Sequence, residues 1–238
     1  MVMLAVDTSS PATSVAFLDG AELLFHEAHV DARRHAELLA VMVERGLHTL
    51  GRPRVTAVAC GVGPGAYTGL RVGVSSAQAY ALGWQVPAYG VCSLDAMALA
   101  VAGHVDGPFA CAIDARRKEV YWARYEQAGA RSEGPFVAKP GEIEAEVRTL
   151  PWFGEVAQTH AALLHPGPAG LAAYPDAREI GGFVMQQLAL GAKVHDSRIE
   201  LAEHGHDLGA TAAALAGHSL LAPLPLYVRR PDAMEPAR

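Results

Sequence analysis

Residues able to do chemistry fall in three groups. The first is Gly61 to Arg71, GVGPGAYTGLR, whose four glycines and proline lie between an apolar run and a helix-like one. Successive backbone N–H groups there could form an anion-accepting nest at a helix N-terminus, with Gly63 and Gly65 as the candidate phosphate contacts. The same glycines could also serve only to turn the chain tightly and bring helix onto sheet. Gly61, Gly63 and Ala66 fit a dinucleotide fingerprint in letters, but Pro64 follows the second glycine and no acid occurs until Asp95. That motif is rejected, and the absence of a following Gly-Lys-Ser/Thr excludes a P-loop.

The second group is Asp7-Thr8-Ser9, at the end of the first apolar run. An acid in that place can hold magnesium while hydroxyl and amide donors meet phosphate. The competing account is that Asp7 and Ser9 cap a turn. The third group is the histidines. His26 and His29 in HEAH lack the i, i+4 spacing of HExxH, and Leu39 stands where a helical partner of His35 would be. His195, His204 and His206, with Asp196, Glu203 and Asp207, read as a solvated polar loop. Cys60, Cys92 and Cys111 sit in apolar runs without CxxC spacing and read as buried thiols. No GxSxG occurs, so the expectation is no catalytic residue and no metal site.

These groups need elements to hold them. Val2–Val6, Thr13–Leu18 and Glu22–Glu27 alternate as strands, with Asp19-Gly20 suited to a tight hairpin turn. Asp31 is expected to N-cap a helix whose core stripe is Leu39, Met42, Val43, Leu47 and Leu50. A strand (Val55–Cys60), a small-residue helix (Leu70–Leu82), a strand (Val86–Val91) and a helix (Ser93–Val101) follow. A hairpin placed before αβ alternation is how each lobe of an actin-like, ribonuclease-H-like α/β fold begins, and a plain Rossmann chain does not start that way.

Gly103 and Gly107-Pro108 mark a break, giving an N-terminal lobe of residues 1–103 and a smaller C-terminal lobe of 104–238. Phe109–Asp114 and Glu119–Glu126 open the second lobe as another hairpin. Beyond them, Gly129–Gly134 reads as loop, Gly141–Arg148 as a short acidic helix, and Asp176–Leu190 and Asp207–Leu221 as helices. The last helix and tail, about 207–238, are expected to pack back on the first lobe.

Charged residues make up 18% of the chain, below the roughly 25% of an average soluble protein, which suggests a large interior or an apolar contact surface for a partner. Net charge is -6 with scattered basic residues, so this chain does not grip a phosphate backbone by itself. No signal peptide or membrane span is legible, and a cytoplasmic location is expected.

Several longer segments add a resemblance: MLAVDTSS, HAELL, GPGAYTGLRVGVSSAQAYA, CSLDAMA, IDARRKEVYWA and PLYVR, in that order. With them the chain resembles the TsaB (YeaZ) family, a branch of the TsaD/glycoprotease-like ASKHA superfamily, most strongly from residue 1 to about 126. The resemblance implies two lobes, each a mixed sheet with flanking helices. It implies a non-catalytic subunit of the complex that transfers a threonylcarbamoyl group to the tRNA adenosine beside the anticodon. The implied partners are TsaD in a heterodimer, the ATPase TsaE through that complex, and a second copy when alone, with tRNA met only indirectly. No cofactor is implied for this chain, and ATP with magnesium only in the complex.

The family pairs through its two first-lobe helices. That places the expected interface on His35, Leu38, Leu39, Val41 and Arg45 of the first helix and on Val72, Ser76 and Tyr80 of the second; packing within the lobe is the alternative for all eight. Against the catalytic relative, Leu39 replaces a second metal ligand, and Asp114-Ala115-Arg116-Arg117 replaces a glycine-bearing acid loop. The remaining readings are a phosphotransferase using Asp7 and a peptidase of the glycoprotease type.

Overall fold

The computed structural model describes residues 1–191, 194–195 and 220–228. Strands β1 (Val2–Asp7), β2 (Ala12–Asp19) and β3 (Glu22–Val30) form an antiparallel meander. Gly20, at φ +59, makes the β2–β3 turn that L side chains disfavour. Helix α1 (His35–Thr49) leads to β4 (Val55–Gly61), α2 (Tyr67–Trp84) to β5 (Ala88–Val91), and α3 (Ser93–Val101) closes the series. β4 lies parallel to both β1 and β5, so the first sheet is mixed.

β1, β2 and β4 are apolar on both faces because both faces are covered. Leu4 and Val6 point to the α1/α2 side with Val15 and Phe17, while Met3, Ala5, Ala16 and Leu18 meet another helix on the opposite side. α1 buries Leu39, Met42 and Val43 as expected, with Leu47 and Leu50 partly buried against the same core. Its start differs from expectation. Arg34 precedes the first helical residue, and the Asp31 carboxylate accepts the Arg33 N–H at 3.0 Å in a turn ahead of the helix.

The second sheet contains β6 (Phe109–Asp114), β7 (Val120–Tyr125), β8 (Arg131–Ala138), β9 (Pro151–Phe153) and β10 (His165–Pro166), in the order β10-β9-β6-β7-β8. β8 overturns the expected loop at Gly129–Gly134. Gly134 and Pro135 read as breakers, yet β8 is an edge strand, where proline costs no ladder bond. The expected acidic helix Gly141–Arg148 is a 3-10 turn, Pro140–Glu142, followed by the single-turn helix α4 (Ala145–Arg148).

After α5 (Glu155–Thr159), helix α6 (Ala177–Ala189) returns to the first sheet and covers its second face with Ala177, Ile180 and Val184. Gly181 permits the approach, since a Cβ there would stand 2.3 Å from Leu18 Cδ1. β11 (Val194–His195) and β12 (Leu220–Leu221) extend the same sheet beyond β5. Leu220 and Leu221 are therefore strand, where a helix was expected to end. Residues 207–219 of that helix, Asp196, Glu203, His204, His206 and the tail from residue 229 lie outside the described residues. Within residues 104–238, α6 packs on the first sheet and β11 and β12 extend it.

The two sheets share a core. Leu94, Met97 and Val101 of α3 pack with Phe109, Cys111, Tyr125 and Phe153 of the second sheet. At this seam Arg131, only 4% exposed, lies 3.3 Å from Asp95 of α3, whose carboxylate also accepts the Tyr125 hydroxyl at 2.8 Å.

Candidate functional site

Asp7 ends β1 with its carboxylate buried. It accepts the Ser9 N–H at 2.8 Å, the Ser9 hydroxyl at 2.8 Å and the Ser93 hydroxyl at 3.0 Å. Ser93 accepts the Gly63 N–H at 3.1 Å, which ties the first glycine loop to α3. Burial pushes the Asp7 carboxyl up to about 6, and the hydrogen bonds from Ser9 and Ser93 oppose that rise. A Cβ at Gly61 would stand 1.8 Å from Asp7 Oδ2, so the carboxylate occupies the space a side chain there would need.

Thr8 faces the other way, into α2. Its hydroxyl donates to the Gly69 carbonyl at 2.7 Å and accepts the Gly73 N–H at 2.8 Å. It stands between the two groups that would otherwise bond each other in the helical ladder. Gly73 leaves room for it, a Cβ there falling 2.5 Å from Thr8 Oγ1. Ser9 completes the contact: its carbonyl accepts the Ala66 N–H at 3.1 Å and lies 2.1 Å from where a Gly65 Cβ would be.

The structure therefore brings Asp7, Thr8, Ser9, Gly63 and Gly65 together, but against one another. Of the two glycines expected to meet phosphate, Gly63 gives its amide to Ser93, and the Ala66 amide that follows Gly65 goes to Ser9. The Asp7 carboxylate and the Gly63 amide are thus engaged inside the protein, which makes those two groups poor ligands for magnesium and phosphate. Among the described residues no cluster of three or more His, Cys, Asp or Glu side chains could hold a metal ion.

A cleft remains between the sheets, with two adjoining cavities of about 280 Å³ each. Ser9, His35, Tyr67 and Thr68 line one, Glu155, His160 and Tyr174 line the other, and Pro11, Asp114 and Arg116 line both. Arg116 pairs with Asp114 at 3.3 Å. Arg116, Arg117 and Lys118 all take positive φ, at 63°, 53° and 62°. The turn that carries arginines in place of glycine thus adopts a backbone glycine would prefer.

The α1/α2 surface divides the expected interface residues. Val41 is 54% exposed, and Arg45 is exposed and paired with Glu27. His35 and Leu39 are buried, His35 meeting only the cleft cavity that it lines. The His35 Nδ1 lies 2.7 Å from the Thr13 hydroxyl, and burial lowers its pKa. Leu38, Val72 and Tyr80 are half-buried against the core, and Ser76 is half-buried beside them. The solvent ridge of α2 is instead Thr68, Ser75, Ala79 and Leu82, the last 81% exposed. Sequence reasoning missed this ridge, although its i, i+7, i+11, i+14 spacing lies opposite the buried Leu70, Val74, Ala77 and Ala81. It also missed Ser93, Thr13 and the packing role of Gly73.

Comparison with known proteins gives a consistent family. The family model described as TsaD, tRNA N6-adenosine threonylcarbamoyltransferase, matches residues 27–162, more than half of the 238-residue chain. The structure of YeaZ from Pseudomonas aeruginosa superposes with a TM-score of 0.68 at 30% identity, covering 80% of this chain and 93% of that one. An uncharacterized protein of Mycobacterium tuberculosis is 40% identical over 183 residues, 72% of this chain and 83% of its own. The tRNA threonylcarbamoyladenosine biosynthesis protein TsaB of Escherichia coli is 39% identical over 131 residues, 53% of this chain and 56% of that protein. The actin-like fold of two lobes, each a mixed sheet with flanking helices, agrees with these relatives.

Proposed function

We propose, for a chain that belongs to the YeaZ (TsaB) family, that it serves tRNA threonylcarbamoyladenosine biosynthesis as the non-catalytic partner of the threonylcarbamoyltransferase TsaD. The observation that carries this reading is the closure of residues 7–9 on residues 61–73. The carboxylate that a phosphotransferase would offer to magnesium is 1% exposed and bonded to two serines. The Gly63 and Ala66 amides, held by Ser93 and Ser9, support a loop whose work is to orient α2.

A docking role suits the surface that α2 presents. Tyr67–Trp84 carries one charged residue in eighteen, its ridge ends on the exposed Leu82, and α1 exposes Val41. Depletion of charge with exposed apolar side chains is the composition of an interface core. In this reading the chain pairs with a second copy when alone and with TsaD in the complex, which then recruits TsaE. The net charge of -6 leaves tRNA to the partner. No described helix is long and apolar enough to cross a membrane.

Two measurements test this. Titration of the isolated chain with Mg-ATP should give no micromolar binding; such binding, with turnover abolished by Asp7→Ala, would establish an enzyme instead. In size-exclusion chromatography the chain should co-elute with the TsaD of the same cell, and Val41→Arg should abolish co-elution. Co-elution unchanged by Val41→Arg would remove the α1 face from the interface.

A further inference from the structure

The one charge on α2 is held in an unusual way. The Arg71 guanidinium lies 4.0 Å from the centroid of the Tyr67 ring and 5.9 Å from that of Tyr227, and its Nε donates to the Tyr227 hydroxyl at 2.8 Å. The two rings also stack on each other, 5.3 Å apart. Tyr227 is fixed by the segment that crosses the glycine loop. Leu226 is buried there and donates its N–H to the Val62 carbonyl at 2.7 Å, while the Pro223 carbonyl accepts the Gln78 side chain at 2.6 Å.

Arg71 is nevertheless exposed, and among the described residues no carboxylate pairs with it. Holding a guanidinium over the Tyr67 ring and against the Tyr227 hydroxyl removes most of the rotamer entropy that an arginine otherwise loses on binding. The Nη groups can then meet a carboxylate in a two-pronged geometry. The position decides what arrives: Arg71 borders the uncharged ridge of Thr68, Ser75, Ala79 and Leu82, so its counter-charge comes with a surface that is otherwise uncharged. A phosphate backbone would bring a row of charges onto a chain of net charge -6.

Resting on the reading that this ridge docks TsaD, we propose that Tyr67, Arg71 and Tyr227 form a carboxylate-recognition point of that interface, taking an aspartate or glutamate from an otherwise uncharged surface of the partner. The C-terminal segment is then part of the docking surface, because its Tyr227 holds the Arg71 Nε and stacks on Tyr67.

Calorimetric titration of the full chain against the TsaD of the same cell tests this, with thermal melting of each variant to report folding. Arg71→Glu should weaken binding about 100-fold and Arg71→Lys about 10-fold, since lysine keeps the charge without the fork; Tyr227→Phe should fall between wild type and Arg71→Lys. Leu82→Arg reports the ridge separately. If Leu82→Arg abolishes binding while Arg71→Glu binds like wild type, the proposal is overturned and the docking reading stands. If neither variant changes affinity, the docking reading itself fails. Unchanged affinity for TsaD with weaker tRNA binding by the complex would assign Arg71 to an RNA phosphate and overturn the proposal. Unchanged affinity with equal losses of melting temperature in Arg71→Glu and Asp232→Asn would assign the carboxylate to the chain's own tail, with the same consequence.

Discussion

Asp7 carries its charge where water does not reach it. Its folded pKa of about 6 lies above the ordinary 3.8 because burial penalises the ionised form more than Ser9 and Ser93 support it. A raised carboxyl pKa contributes stability that is fully present below the unfolded value and lost as pH rises through the folded one. Between about pH 4 and pH 7 this single group should therefore subtract roughly 3 kcal/mol of stability. Urea unfolding of Asp7→Asn should show that part of the pH slope removed; a slope equal to wild type would mean that Asp7 titrates as an ordinary aspartate. The residue's type and place at a strand end were legible in the sequence. Its burial was not, because Ser93, which helps enclose it, lies 86 residues away.

Helix α2 depends on a side chain outside itself. The Thr8 hydroxyl bridges the Gly69 carbonyl and the Gly73 N–H, so β1 fixes both the position and the rotation of the helix that presents the ridge. Thr8→Val keeps the shape and removes both bonds, leaving two buried backbone groups poorly satisfied at a cost of about 1–3 kcal/mol. Thr8→Ser should restore most of the loss. Affinity for TsaD should follow stability through the same series, and an affinity unchanged in Thr8→Val would show that this anchor does not orient the docking face. The helix itself could be read from its small residues and its distance from the next strand. The reason for Gly61, Gly65, Gly69 and Gly73 could not, since these four make room for residues 7–9, some sixty positions earlier.

Over the whole molecule, the two sheets are joined as one body by α3 and by the buried Arg131, Asp95 and Tyr125 cluster. Arg131→Met leaves Asp95 without its cation in a largely enclosed seam and should cost about 3–5 kcal/mol. Denaturant unfolding followed by near-UV and far-UV signals should show one transition for wild type, and an unaltered midpoint in Arg131→Met would show that the ion pair does not join the lobes. The sequence by itself determined the hairpin-first order of the actin-like lobes, the strand and helix types over most of residues 1–126, and the lack of a second histidine at helical spacing. Those features follow from local periodicity and turn chemistry, which neighbouring residues decide. Only the tertiary structure decided that α6 and β12 return to the first sheet, that β8 is a strand despite Gly134 and Pro135, and that the ridge of α2 lies on Ser75 and Leu82 with Val72 and Tyr80 packed inward. It also decided that the glycine loop closes on Asp7, Thr8 and Ser9. Each of these outcomes depends on which distant side chain fills a given space, and spacing along the chain does not record that.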